Sequence, residues 1–168
     1  MAEKRELTVS VSVDGGDWPS EAELQEFAER TVGAAAALAP AFAAILRSND
    51  AENGREVSIL FTDDTGIRRL NAAWRGKDEP TNVLSFPQGR AGPLLGDIIL
   101  AAETVRSEAA LAAKPLEDHI AHLVVHGFLH LLGYDHDADA DAEKMEELER
   151  VALKRLGIPD PYARPKDQ

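Results

Sequence analysis

The chain has 168 residues, 44% of them hydrophobic, enough for one domain with a buried core and too many for a disordered polymer. Thirty acidic residues against eighteen Lys and Arg give a net charge of −12, which argues against charge-driven, non-specific nucleic-acid binding but leaves a local basic groove to be looked for. Cysteine is absent, which removes disulfides and thiolate metal ligands; with no long apolar run and no signal-peptide pattern, the expectation is a cytoplasmic protein without a membrane span.

Leu7, Val9, Val11 and Val13 alternate with polar residues and predict a half-buried strand, ended by Asp14-Gly15-Gly16-Asp17. Ser20 is placed to N-cap a helix, with Glu23 three residues on completing a capping box. That helix runs through Leu24, Phe27 and Val32 into an alanine-rich tract closed near Pro40, which reads as ordinary helix because Ala is the best helix former. Asn53-Gly54 marks a turn before a second strand at 56–62, where Val57, Ile59 and Phe61 alternate. Asp63-Asp64-Thr65 opens a short helix containing Ile67, Leu70 and Trp74, and 75–80 reads as a loop. A third strand at 81–87 is bounded by prolines. Residues 96–101 are apolar without alternation, which suits a central strand.

Glu103 to Ala113 predicts a helix stopped before Pro115, and a second helix covers about 116–132. A last, acidic amphipathic helix spans 138–156, and the tail after Asp160 is expected to be disordered. The element order predicts a single α+β domain over 1–160 with a C-terminal tail at 161–168. Its small mixed sheet of about four strands packs with about five or six helices, and the metal site lies on a central helix.

All five histidines fall between His119 and His136. On a helix His126 and His130 share one face a turn apart, and Gly133 can turn the chain so that His136 comes back toward them. Three imidazoles with a fourth position open are the make-up of a catalytic zinc site, so His126, His130 and His136 are the candidate ligands. His119 and His122 lie on the same face and either tune that site or line a groove. The spacing resembles the metzincin protease motif H-E-x-x-H-x-x-G-x-x-H, but Gly127 stands where those enzymes carry their general-base glutamate. The spacing therefore fits metal-assisted hydrolysis of something other than a peptide.

The alternating acids from Asp135 to Glu146 imitate a calcium-binding loop, yet Ala140 occupies the position that needs glycine. An acidic first helical turn, favoured by the helix dipole, is the plainer account. Arg68, Arg69, Arg75 and Lys77 form the main basic stretch, with Arg90 and Arg106 scattered beyond it. Arg75, in its predicted loop, is the best candidate to grip a phosphate. Asp97 enters a buried strand, where it either orients a ligand or another polar group or caps a turn.

The block H-G-F-L-H-L-L-G-Y-D-H (126–136) resembles the hallmark of the YbeY family of bacterial endoribonucleases. The segment from Leu70 through Trp74-Arg75-Gly76-Lys77-Asp78-Glu79-Pro80 to Pro87 resembles that family's second signature, and Gly96-Asp97-Ile98 fits a third. Trp74 and Asn82 depart mildly from the family, standing where tyrosine and aspartate are common. The resemblance implies an enzyme with one Zn2+ per chain that cuts single-stranded RNA. It implies roles in 16S ribosomal RNA 3′-end maturation, ribosome assembly and ribosome quality control, with the small ribosomal subunit and assembly factors as partners. It also implies His126, His130 and His136 as metal ligands and Arg75 as the functional arginine. Two alternatives stay open at this level: an assembly factor whose zinc is mainly structural, and a zinc hydrolase acting on another phosphoester. An RNA substrate further calls for a positive groove near Arg68, Arg69, Arg75 and Lys77 beside the metal.

Overall fold

The computed structural model describes residues 7–47, 54–89 and 92–163. The turn expected at Asn53 and the side chain of Arg90 lie outside these residues. Four strands, β1 (Leu7–Val13), β2 (Arg55–Thr62), β3 (Val83–Pro87) and β4 (Leu94–Ala101), form one sheet in the order β1-β2-β4-β3. β1, β2 and β4 run parallel, and β3 joins the β4 edge antiparallel. The strand expected to be central, β4, lies between β2 and β3 and is buried along most of its length.

Parallel neighbours need a long crossover. Between β1 and β2 it is made by two helices, α1 (Glu21–Leu38) and α2 (Pro40–Leu46), bent 90° apart. The first helix closes near Pro40 as expected, but the alanine-rich tract continues past it as a second helix. Pro40 pushes Ala39 into an extended conformation (φ −82°, ψ 115°), which ends α1, and then starts α2 from its first position. Ser20 caps α1, its Oγ accepting from the Glu23 N–H at 3.2 Å; among the described residues Glu23 does not return the bond, so the capping box is half made.

α3 (Asp64–Arg75) starts at Asp63, whose Oδ1 accepts from the Gly66 N–H at 2.7 Å, and ends at Gly76 in the left-handed region (φ 70°). Arg75 therefore belongs to the last helical turn and not to a loop, because the helical bonds persist until glycine reverses the chain. α4 (Ala102–Leu111), α5 (Leu116–Leu131) and α6 (Asp139–Arg155) complete the fold.

Strand alternation assigns the two sheet faces different fates. Val9, Val11, Val57, Ile59, Phe61, Ile98 and Leu100 join the main core with α1 and α5. On the other face Leu84 and Ile99 pack with Ile67 of α3, and Leu60, Leu70 and Phe86 close around them. Among the described residues no other helix contributes to that second cluster, and Ser10 and Ser12 on β1 stay exposed. α5 packs against β3, β4, α1, α4 and α6, as expected for a central helix. Its half-buried positions include His119, His122, His126 and His130.

Residues 161–163 do not form a disordered tail. The Tyr162 hydroxyl donates to Glu149 Oε2 at 2.7 Å, which fastens this segment to α6.

Candidate metal centre

α5 ends in a Schellman arrangement. The Gly133 N–H donates to His130 O at 3.0 Å and the Tyr134 N–H to Leu129 O at 3.1 Å, with Gly133 at φ 100°. A side chain would strain that conformation; glycine does not. The turn is then pinned from outside, because the Tyr134 hydroxyl oxygen accepts from the Ala41 N–H in the first turn of α2 at 3.1 Å. That N–H has no partner within its own helix, so the phenol satisfies an orphan donor while fixing the loop.

The consequence is convergence. The His136 ring lies 5.2 Å from that of His130 and 5.6 Å from that of His126, centroid to centroid. One nitrogen from each of the three rings falls within 4.8 Å of the others. The Nε2 atoms of His126 and His130 are 3.1 Å apart. A tetrahedral zinc with Zn–N bonds of about 2.0–2.1 Å separates its ligand nitrogens by roughly 3.4 Å, so this pair is already near ligand spacing. Burial first, and then the neighbouring His126 and His136, hold the His130 pKa below its ordinary value. A neutral ring keeps its lone pair for a cation. His126 and His130 are half-buried and His136 is exposed, so the donor set opens to solvent on the His136 side. The residues fit a three-nitrogen metal site with an open position.

Glu149 was not among the residues singled out from the sequence. It is 0% exposed, on the apolar stripe of α6 with Met145, Ala152 and Leu153. Its Oε1 accepts from His126 Nδ1 at 3.0 Å and from His122 Nε2 at 3.0 Å. Burial alone would raise its pKa, but hydrogen bonds from His122, His126 and Tyr162 outweigh burial and hold it at about 2. A carboxylate on Nδ1–H fixes the tautomer of His126, leaving Nε2 as the lone-pair nitrogen aimed at His130. The signal was present in the sequence as a glutamate at a core register, masked by thirty acidic residues that are mostly surface charge.

His119 and His122 are drawn away from the cluster by carboxylates. His119 Nε2 donates to Glu108 Oε1 of α4 at 2.9 Å, and His122 is held by Glu149 with the Tyr162 hydroxyl at 3.3 Å. Gly127 faces the sheet: a Cβ there would lie 2.9 Å from Ile98 Cγ2 and 3.1 Å from Ser85 Oγ. The absent glutamate is thus an absence of space, and close packing of α5 on the sheet is what the glycine provides.

Arg75 is tied to β3. Its Nη2 donates to the Ser85 carbonyl at 2.7 Å, and its guanidinium lies 5.4 Å from the centroid of Phe86. The Ser85 side chain in turn reaches Gly127 O at 3.4 Å, next to His126 in the chain. The other guanidinium donors have no partner among the described residues. Of the residues expected to make a positive groove, Arg75 and the Arg68–Arg69 pair line different hollows. Arg68 is engaged with Asp78 through bonds of 2.8 and 3.2 Å, and with Arg69 it lines a separate hollow on α3. Exposed Asp135 and Asp137 flank His136 in the chain, and Arg75 is held at β3 by the Ser85 carbonyl. Asp139 and Asp141 form the first turn of α6, as the helix-dipole reading expected. Among the described residues Asp97 neither caps a turn nor pairs with another side chain; it lines a groove on the open sheet face.

The geometry has counterparts in known proteins. The sequence model of the family described as Endoribonuclease YbeY matches residues 22–157. An Endoribonuclease YbeY of Rhizobium meliloti (strain 1021) is 53% identical over 165 residues, covering 93% of this chain and 95% of that one. That of Sinorhizobium medicae (strain WSM419) is 50% identical over 162 residues, with 93% and 95% covered. The fold is similar to the solution structure of TM1509 from Thermotoga maritima, with a TM-score of 0.52 and 23% identity over 94% of this chain and all of that one. The matched span contains the histidine turn, the Arg75 segment and Glu149, and it is on this ground that the chain belongs to the Endoribonuclease YbeY family.

Proposed function

We propose that the protein is a zinc-dependent endoribonuclease that cuts single-stranded RNA. Its setting is the cytoplasm, in 16S ribosomal RNA 3′-end maturation, ribosome assembly and ribosome quality control, with the small ribosomal subunit and assembly factors as partners. The observation that carries the reading is the convergence of three imidazole nitrogens within 4.8 Å on a face open to solvent. Family membership directs that chemistry to RNA, and zinc suits a set of three nitrogens without thiolates.

His126, His130 and His136 would hold the ion. When bound, it supplies Lewis-acid chemistry, polarising a phosphoryl oxygen and making water more acidic. The chain's own residues do the rest. Glu149 keeps His126 in the tautomer that offers Nε2. Arg75, anchored through one nitrogen to Ser85, offers its remaining N–H groups to the phosphate and offsets the extra negative charge of the pentacoordinate transition state. Tyr134 and Gly133 hold His136 in place. No general base comes from position 127.

The test pairs metal analysis of untagged protein with cleavage of a short unstructured RNA. Cleavage by metal-replete but not chelated protein is expected, and the assay also separates zinc from nickel, copper or cobalt, which sites of this kind accept. Arg75→Glu should retain the metal and lose cleavage by at least a hundredfold. Undiminished cutting by the chelated protein would refute the assignment, and undiminished cutting by Arg75→Glu would remove Arg75 from the mechanism. The product ends identify the nucleophile: a 2′,3′-cyclic phosphate marks attack by the RNA's 2′-hydroxyl, a linear monophosphate attack by water.

A further inference from the structure

The half of the sheet that α3 leaves uncovered forms a groove of about 580 Å³. Its floor is apolar, with Leu60, Leu70 and Ile99, and Trp74 and Arg75 stand at its rim. Trp74 is 73% exposed, an unusual outlay for an indole unless something covers it. Its ring leans on Phe86 at 6.4 Å between centroids and a 59° tilt, and Arg75 rests on the same phenyl ring. Within the groove Asp97 faces Phe86 across β3–β4 and Ser58 across β2–β4. It is half-buried, and its carboxylate has no hydrogen-bond partner among the described residues. Half-buried in the groove, that carboxylate keeps its acceptor capacity free of the described residues and open to a donor from a ligand.

Charge decides what enters. A phosphate inside would meet Asp97 and be repelled, whereas at the rim it meets Arg75. A neutral, flat group bearing N–H donors satisfies the interior. We propose that this groove is a nucleobase subsite: Trp74 stacks on one unpaired base of the RNA, Asp97 accepts from that base's amino group, and Arg75 meets the adjoining phosphate. The inference rests on the RNA reading above and adds to it a site and a preference. Adenine, cytosine and guanine present an amino group, whereas uracil's one base-edge donor, N3–H, lies between two carbonyl oxygens that a carboxylate repels, so bases with amino groups are favoured in this position.

The experiment uses the full zinc-loaded chain and fully 2′-O-methylated RNA hexamers of A, C and U. The Trp74 signal is the part of the two-tryptophan fluorescence that Trp74→Ala lacks. Saturable quenching of that signal is expected, with A and C hexamers binding about tenfold more tightly than U. Trp74→Ala should weaken all three at least fivefold without changing zinc content. Asp97→Asn should abolish the preference over U; if that variant does not fold, the wild-type preference alone decides. Equal affinity for A, C and U overturns the role of Asp97. Hexamer binding with unchanged Trp74 fluorescence overturns the subsite while leaving the RNA reading intact. Failure both to bind any hexamer and to cut unstructured RNA brings down the parent reading with it.

Discussion

Replacing Glu149 is the sharpest test of how the metal site is built. The side chain is 0% exposed and accepts three hydrogen bonds, at 3.0 Å from His126, 3.0 Å from His122 and 2.7 Å from Tyr162. In Glu149→Gln one carboxylate oxygen becomes an NH2 group, so either the two imidazoles or the phenol must face a donor instead of an acceptor. Losing a carboxylate that orients a metal-binding histidine costs about 10–100-fold in metal affinity, or roughly 1.4–2.7 kcal/mol. Glu149→Ala goes further and leaves up to three donors unsatisfied in the interior, a loss of about 3–5 kcal/mol in stability of the metal-free protein. Competition with a chromophoric chelator reads the first quantity, and urea unfolding of the metal-free protein reads the second. Imidazole nitrogen shifts report whether His126 still carries its proton on Nδ1. Wild-type zinc affinity in Glu149→Gln, with the Nδ1–H tautomer intact, would show that the carboxylate does not position His126. A pH dependence follows from the same residue. Its folded pKa, about 2, is below the ordinary carboxyl value of 4.5, so its contribution to stability is complete above about pH 4.5 and disappears as pH falls toward 2. Metal-free wild type should therefore lose more stability across that window than Glu149→Gln.

His130→Ala should abolish metal binding, whereas His119→Ala should retain it, because His119 bonds to Glu108 and not to the cluster; metal content after dialysis decides. Gly127→Ala gains about 1 kcal/mol of helix propensity but forces a Cβ to 2.9 Å from Ile98 Cγ2. Overpacking costs about 1–3 kcal/mol, so a net loss of about 1 kcal/mol is expected in chemical denaturation, and a stabilised variant would contradict the packing argument. Tyr134→Phe leaves the Ala41 N–H without its partner and frees the loop before His136. A loss of about 1 kcal/mol and weaker zinc binding are expected by the same two assays; unchanged values in both would remove Tyr134 from the support of the site.

What could be read without the structure was whatever depends on near neighbours in the chain. Histidines four apart share a helical face, a glycine three residues later turns the helix end, and strands announce themselves by alternation; these are local rules of backbone geometry. Even local reading failed where one residue arbitrates between two continuations. Pro40 made two helices of one alanine-rich tract, and Gly76 carried α3 one residue further, putting Arg75 on a helix. The tertiary structure alone decided which polar groups meet. Glu149 is 23 residues from His126, Ser85 is 42 from Gly127, and Tyr134 is 93 from Ala41. The sequence by itself determined that three imidazoles could converge. Only the packing of α6, β3 and α2 around α5 decided which carboxylate orients His126, which strand Arg75 is tied to and which face of the sheet is left open, because those contacts depend on how the helices and strands pack and not on the spacing of residues along any one of them.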